Sequence, residues 1–191
     1  SADVFSALML LKSLCVYCGS RLGNDPNYEV EVRKLGHRLA DLDIRLVYGG
    51  GAIGLMGVLA SAVAERGGKI TGVIPKFLQE REIAFNGAEE LILTDDMHAR
   101  KRIMFERSDA FVALPGGIGT LEELLEVTTW LQLEQHEKPV IVANLSGYWE
   151  PLRVLLAGTV AAGFADQATI DKVRVVDSIP DLLAEIGLPA D

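Results

Sequence analysis

The chain alternates between short apolar runs and longer amphipathic stretches. Runs such as DAFVAL and PVIVANL are apolar on both faces, which is typical of strands that helices cover on two sides. The stretches between them are amphipathic, as helices on the surface of a sheet are. This regular alternation predicts an α/β fold, a doubly wound (Rossmann-like) parallel sheet flanked by helices.

The same pattern predicts the individual elements, with turn residues between them. Pro26 suits the first position of a helix, and Gly67-Gly68 is a typical helix end. Segment 76–87 has no clear period and is predicted as a loop with a short helical turn. Strands are predicted at 13–20, 44–48, 69–75, 90–94, 109–115, 139–145 and 173–177, and helices at 26–41, 55–68, 97–108, 120–135, 148–163 and 179–187.

Length and composition are those of one domain. The chain has 191 residues, 49% of them apolar, with no internal repeat and no linker rich in proline, glycine or serine. About 100–200 residues per domain is usual, and this apolar content is enough for a full core. We therefore predict a single α/β domain over residues 1–191.

The net negative charge of the chain restricts the macromolecules that it can bind. A formal net charge of −9 excludes a broad electrostatic footprint for DNA, RNA or anionic lipid, so a small anion must be held by local donors. No segment approaches the ~20 apolar residues of a membrane-spanning helix. The apolar stretch 4–11 is short and lacks the basic start of a signal peptide. We expect a cytoplasmic protein without nucleic-acid or membrane partners.

Two cysteines, Cys15 and Cys18, form a C-x-x-C pattern inside the first predicted strand. Redox or metal chemistry is one interpretation of this spacing. In a strand, however, residues three apart point to opposite faces, which is poor geometry for a disulfide. The chain also has no second cysteine pair to complete a zinc site. We favour two small core residues and expect no metal.

The first glycine-rich segment, 48–57 (YGGGAIGLMG), lies between a strand and a helix. Gly49, Gly51 and Gly54 match the G-x-G-x-x-G spacing of dinucleotide sites. That fingerprint normally follows the first strand, and the acidic residue expected roughly 20 positions later is absent from KITGVIP. NAD is therefore not expected, and two interpretations stay open: a ligand contact, or a tight turn with close packing at Gly54 and Gly57.

The second glycine-rich segment, 115–123 (PGGIGTLEE), carries more information. Its proline ends a strand, and its three glycines let the backbone turn freely into a helix with Thr120 at the N-cap. The free N–H groups and positive dipole of a helix start bind anions, phosphate among them. The alternative is purely structural, because Thr120 and Glu123 also have the spacing of a capping box.

A basic stretch, 97–102 (MHARKR), stands out in this acidic chain. Most such runs are solvated helical faces. This one follows a predicted strand, so its start should lie at the same sheet edge as both glycine segments. There the guanidinium of Arg100 could bind phosphate through two parallel hydrogen bonds. His98 should point away from Arg100, and no Ser-His-Asp or HExxH pattern is present.

Taken together, these segments resemble the LOG-type ("lonely guy") cytokinin-activating phosphoribohydrolases, which are often labelled possible lysine decarboxylases. The resemblance covers nearly the whole chain, including the KPV and GYW motifs. The decarboxylase label finds no support, because no pyridoxal-phosphate lysine motif is recognisable. The other matching segments are CGS at 18–20, YGGGAIGLMG at 48–57, GVIPKFL with REI within 72–83, DMHARK at 96–101 and the run at 108–133.

The resemblance implies hydrolysis of the N-glycosidic bond of N6-modified adenosine 5′-monophosphates, or of AMP, to free base and ribose 5-phosphate. No cofactor is implied. Arg100 and Glu123 match the catalytic pair, with Gly117 to Thr120 as the phosphate and ribose cradle. The full set of implied substrate-binding residues is Ser20, Gly51, Glu82, Lys101, Gly116, Gly117, Gly119, Thr120 and Thr129.

The chemistry of these side chains agrees with such a reaction. A carboxylate at position 123 could stabilise an oxocarbenium-like state or activate water. Arg100 stays protonated, so it would orient phosphate or polarise the leaving base, and the proton for that base would come from water or another acid such as Glu82.

Two further expectations concern partners. The alternative to an enzyme is a non-catalytic carrier of a nucleotide or of molybdenum cofactor, since carriers of related fold use similar glycine loops. The resemblance also implies a homodimer with its sites near the interface. The apolar helix ELLEVTTWLQL could supply that surface, although a helix that faces the core would look the same.

Overall fold

Seven parallel strands form one sheet in the computed structural model, which describes residues 11–190. The doubly wound α/β prediction is confirmed. The N-terminal apolar stretch 4–11 lies, apart from Leu11, outside the described residues. The strands are β1 (Ser13–Tyr17), β2 (Arg45–Tyr48), β3 (Ile70–Pro75), β4 (Glu90–Thr94), β5 (Ala110–Ala113), β6 (Val140–Ala143) and β7 (Val173–Val176).

Helices connect these strands, and each predicted helix is present with ends shifted by a few residues. Segment 76–87 contains the predicted short turn as a 3-10 turn at Lys76–Leu78 followed by one helical turn. A short helix at Gln167–Asp171 was not predicted. The helices are α1 (Pro26–Asp41), α2 (Gly54–Glu65), α3 (Gln79–Glu82), α4 (Met97–Glu106), α5 (Ile118–Gln132), α6 (Glu150–Ala161), α7 (Gln167–Asp171) and α8 (Ile179–Glu185).

The strand order, β4-β3-β2-β1-β5-β6-β7, locates the place where ligands bind in such sheets. The chain builds outward from β1 to β4, then returns to the other side of β1 and continues outward from β5 to β7. Connections on the two sides of the β1–β5 pair therefore run in opposite directions. In open α/β sheets, ligands bind at this switch point, beyond the carboxyl ends of the strands.

The core has two layers, one on each face of the sheet. Helices α1, α2 and α8 pack on one face and α4, α5 and α6 on the other. Within β1 the alternation is visible, since Leu14 and Val16 belong to the first layer and Cys15 and Tyr17 to the second. Strands buried on both sides need apolar residues at every position, which is the sequence pattern observed.

The two cysteines behave as core residues. Cys15 and Cys18 are buried free thiols in opposite layers. Burial raises the pKa of both thiols, so both stay neutral. Within residues 11–190 no cluster of histidine, cysteine or acidic side chains could hold a metal ion, and no helix is both long enough and apolar enough to cross a membrane.

The predicted N-cap at Thr120 is wrong. Helix α5 begins at Ile118 with Gly117 as its N-cap, and no side chain caps it. Glycine is a favoured N-cap residue even without a capping side chain, so the helix starts two residues earlier than expected. Thr120 lies inside the first turn, against Gly116, and no hydrogen bond joins it to Glu123 among the described residues. The capping box does not form.

Candidate functional site

A cavity of about 220 Å³ lies at the switch point between β1 and β5. Its walls come from the end of β1, both glycine-rich segments, the start of α4 and the first turns of α5. A larger cavity, of about 640 Å³, lies between α6, α7 and β7, but none of the predicted site residues line it. The smaller cavity contains Ser20, Glu82, Arg100, Gly117, Gly119, Thr120 and Glu123.

The start of α5 lies in the wall of this cavity and has the features of an anion-binding turn. A side chain at Gly117 or Gly119 would meet no atom of the chain within 4 Å, so space is open above both residues. Gly116 differs, since a Cβ there would lie 2.1 Å from Thr120 Oγ1. The first N–H groups of a helix have no partner within it and point out of its start. The open glycines therefore give an anion direct access to these donors.

Arg100 is buried and fixed by three backbone or carboxylate contacts. Its Nε donates to the Val73 carbonyl at 3.0 Å, and its Nη2 donates to the Gly49 carbonyl at 2.6 Å and to Glu82 Oε2 at 3.1 Å. A Cβ at Gly49 would lie 2.3 Å from Nη2, so the first glycine segment makes room for the guanidinium. Arg100 is a rigid positive group in the cavity wall.

Glu123 contributes a carboxyl group to the site. It is half-buried, lines the cavity and makes no hydrogen bond among the described residues. Burial raises the pKa of Glu123 to about 7, opposed by the nearby charge of Arg100 and reinforced by Glu122 and Glu82. A carboxyl group that titrates near neutral pH can both accept and return a proton, which is the property of a general acid–base.

Glu82 reaches the cavity because α3 is anchored to the first glycine segment. The backbone N–H of Ala52 donates to the carbonyls of Glu82 at 3.1 Å and Ile83 at 2.7 Å. Ile83 has a φ of 51°, a left-handed conformation that is unfavourable for a β-branched residue.

Gly51 lies beneath this contact, against Met56 and the Glu82 backbone, and has a packing role. Gly54 also packs closely, against Ser20 and Arg21.

Lys101 and Thr129 lie outside the cavity. Lys101 is buried, and its Nζ contacts Glu122 at 2.5 Å and Glu126 at 2.7 Å, which ties α4 to α5. The Thr129 hydroxyl donates to the Leu125 carbonyl on the outer side of α5. Gly51 and Gly116 are not among the cavity-lining residues either. The remaining predicted residues are brought together as expected.

The apolar part of the cavity was not predicted. Met56, Leu78, Met97 and Ile118 line it, and this gives a planar base or an apolar substituent a surface to pack against. Met56 and Ile118 lie within the two glycine segments and Met97 lies three residues before Arg100, so their positions in the sequence were the available signal, whereas Leu78 had none. The histidines are elsewhere, with His98 exposed on α4.

The fold and the site together define a Rossmann-like α/β protein with an open helix start and a carboxyl group of raised pKa in one cavity. The family model described as "Possible lysine decarboxylase" matches residues 56–186. Cytokinin riboside 5′-monophosphate phosphoribohydrolase LOG1 of Arabidopsis thaliana is 50% identical over 153 residues, 80% of this chain and 72% of that protein. LOG2 of the same plant is 42% identical over 172 residues, 90% and 81% of the two chains.

The chain therefore belongs to the LOG family of phosphoribohydrolases, which confirms the sequence resemblance and the prediction of a hydrolase. Among solved structures, a molybdenum cofactor binding protein from Rippkaea orientalis superposes with a TM-score of 0.68 at 21% identity, over 93% of this chain and 96% of that one. The Moco carrier protein of Chlamydomonas reinhardtii gives 0.67 at 23%, over 92% and 95%. These two likenesses concern the fold alone.

Proposed function

We propose that this enzyme hydrolyses the N-glycosidic bond of N6-modified adenosine 5′-monophosphates and of AMP, releasing the base and ribose 5-phosphate. The observation that carries the proposal is the Glu123 carboxyl group, which has no partner within residues 11–190 and lies one turn into the helix whose start is open to phosphate. A carrier needs the phosphate site but has no use for a titrating carboxyl group beside the ribose. Relatives named cytokinin riboside 5′-monophosphate phosphoribohydrolases support the same substrate class.

The phosphate would bind at Gly117, Gly119 and Thr120. Each hydrogen bond to a charged group contributes about 1.5–3 kcal/mol, so three or four of them are enough to hold a phosphate in an acidic protein. A ribose attached to that phosphate then faces Glu123, and the base lies toward Arg100 and the apolar wall of Met56, Leu78 and Met97.

The reaction needs one water and one proton relay. Glu123 takes a proton from water as the water oxygen bonds to C1′, and the C1′–N9 bond breaks with its electron pair going to the base. The fixed guanidinium of Arg100 stabilises the charge on the departing base. Glu82 is already engaged by Arg100, with its Oε2 3.1 Å from Nη2, so Glu123 returns the proton to the base.

The test is an assay of base release. Purified protein is incubated with AMP, with isopentenyladenosine monophosphate and with isopentenyladenosine, and free base is measured by liquid chromatography. We expect release from the nucleotides and little from the nucleoside, which lacks the phosphate anchor. Binding of nucleotides without base release would contradict the proposal and support the carrier.

Gly49→Ala should lower kcat/KM about tenfold to a hundredfold. The new Cβ would displace the Arg100 guanidinium from the Gly49 carbonyl, while Arg100 itself remains in the protein. Gly158→Ala is the matched control, because Gly158 lies in helix α6 with no atom near its Cβ position. The control should keep full activity, and equal kinetics for both variants would show that the position of the guanidinium does not matter.

We also propose that the enzyme is a homodimer through the outer face of α5. Ile118 is 85% exposed there and Leu133 60%, with Leu121, Leu125 and Trp130 beside them. Ile118 also lines the catalytic cavity, so a partner on this face would lie next to the bound substrate.

Sedimentation equilibrium should give twice the 20.7 kDa chain mass for the wild type and a monomer for Leu125→Lys. Leu155→Lys is the control, because it makes the same change at a leucine that is even more exposed, 63% against 41% for Leu125, but lies on α6. A monomeric wild type, or a Leu125→Lys variant that stays dimeric, would contradict this interface.

A further inference from the structure

The GYW motif, 147–149, has no role in the site described so far. It follows β6, the strand next to β5, so the order of the sheet places it beside the phosphate-binding turn. The Tyr148 hydroxyl donates a hydrogen bond to the carbonyl of Gly116, which is 32 residues earlier in the chain. This contact joins a side chain outside the cavity to the backbone at the entrance of α5.

Tyr148 is held in place by its neighbours. Its ring packs edge-on against Tyr28 of α1 at 6.0 Å and against Trp149 at 4.9 Å between centroids. The next residue is also anchored, because the Trp149 N–H donates to Asn144 Oδ1 at 2.7 Å. The hydroxyl therefore reaches Gly116 from a fixed aromatic cluster and needs no ligand to position it.

The Gly116 carbonyl belongs to the same peptide group as the Gly117 N–H. In a planar trans peptide, the C=O and N–H bonds point in opposite directions. A hydrogen bond that holds the carbonyl toward Tyr148 therefore directs the Gly117 N–H to the opposite side. Gly117 lines the cavity, whereas Gly116 and Tyr148 do not, so that opposite side is the cavity.

Glycines on both sides of this peptide make its orientation easy to change. A residue with a Cβ restricts the backbone, but a Gly-Gly pair can rotate its shared peptide at little cost. In the reversed orientation, a carbonyl oxygen would face the bound anion and repel it. A fixed hydrogen-bond donor on the far side of the peptide is the structural means of preventing this.

We propose that Tyr148 is a positioning residue that holds the Gly116–Gly117 peptide with its N–H toward the phosphate. The inference rests on the proposed function in so far as the anion is the 5′-phosphate of the substrate. Tyr148 touches no reacting atom and acts through Gly116. Its loss should therefore weaken the binding of phosphate groups without changing the chemistry at C1′.

Tyr148→Phe removes only the hydroxyl and keeps the ring packing. We expect the Kd of ribose 5-phosphate and of inorganic phosphate, measured by calorimetry, to rise about tenfold, as the loss of one hydrogen bond predicts. The Kd of adenine should not change. In kinetics with AMP, KM should rise by a similar factor and kcat should stay within about twofold.

Tyr28→Phe is the matched control. It removes the neighbouring hydroxyl of the same aromatic cluster, which makes no hydrogen bond among the described residues, and it should leave each Kd unchanged. Wild-type affinity for ribose 5-phosphate in Tyr148→Phe would overturn the proposal, as would an equal loss of adenine affinity with a lower melting temperature. The titrations need no turnover, so a wild type that binds ribose 5-phosphate but releases no base contradicts the proposed function alone.

Discussion

Glu123→Gln should lower kcat for base release about a thousandfold, within the range that general acid–base groups contribute, and leave nucleotide affinity nearly unchanged. Glutamine keeps the shape of the side chain but cannot take a proton from water. The N–H groups that we propose as the phosphate site belong to the backbone of the same helix and are not altered. Base release is measured by chromatography, and AMP affinity by calorimetry on the inactive variant.

The pH profile gives an independent measure of the same group. Because burial raises the pKa of Glu123 to about 7, the ionised form that activates water is lost as the pH falls through neutrality. Wild-type kcat/KM should be constant above about pH 8 and fall about tenfold per unit well below pH 7. The residual activity of Glu123→Gln should lack this step.

The same substitution should stabilise the fold. A carboxyl group with a raised pKa binds its proton more tightly in the folded chain, so ionising it costs stability as the pH rises from about 4.5 to about 7. Above that range the full cost is present, and removing the charge should increase the free energy of unfolding by about 1–3 kcal/mol at pH 8, with no gain at pH 4.

Glu122→Gln serves as the control, since it makes the same change one residue earlier, on the side of α5 that contacts Lys101. It should retain activity within a few-fold. Full activity of Glu123→Gln would reduce this residue to a structural role.

Arg100→Lys should lower kcat/KM about a hundredfold or more although the charge is kept. Arg100 donates hydrogen bonds through Nε to the Val73 carbonyl and through Nη2 to the Gly49 carbonyl and the Glu82 carboxylate. A single ammonium group cannot reach all of these partners. Carbonyls left without donors should also lower the free energy of unfolding by about 1–3 kcal/mol. Urea unfolding and steady-state kinetics measure the two effects.

Arg102→Lys is the matched control, because Arg102 is exposed on the same helix. It should behave like the wild type in both measurements. If Arg100→Lys kept wild-type kcat/KM, only the charge of the group would matter, and the fixed geometry described above would not be part of catalysis.

The sheet and the location of the site could be predicted from the sequence, for a physical reason. A strand covered on both faces must be apolar throughout, and β5 and β6 show this directly. Parallel strands then bring their carboxyl ends to one edge, so both glycine segments and the start of α4 had to meet there. The cavity at the β1–β5 switch point follows from these two facts.

The details inside the site could not be predicted in this way. Arg100 and Lys101 are neighbours on α4, and only the packing of α4 against α5 decides that one faces the cavity and the other faces Glu122 and Glu126. Glu82 comes from a segment without a hydrophobic period, and backbone contacts to Ala52 place it. The sequence predicts an N-cap at Thr120, because Gly117 carries no side chain that could indicate a cap.

The carboxylates around Arg100 and Lys101 affect how substrate arrives. Glu82, Glu122 and Glu126 pair with these two cations, and Glu123 adds a further negative charge when ionised. A nucleotide dianion therefore meets a surface, on a chain of net charge −9, that offers no long-range attraction. The rate at which the nucleotide encounters the protein should therefore rise with ionic strength, whereas it falls for a protein that attracts anions. Specificity then comes from the short-range donors, which only a correctly bound phosphate can reach.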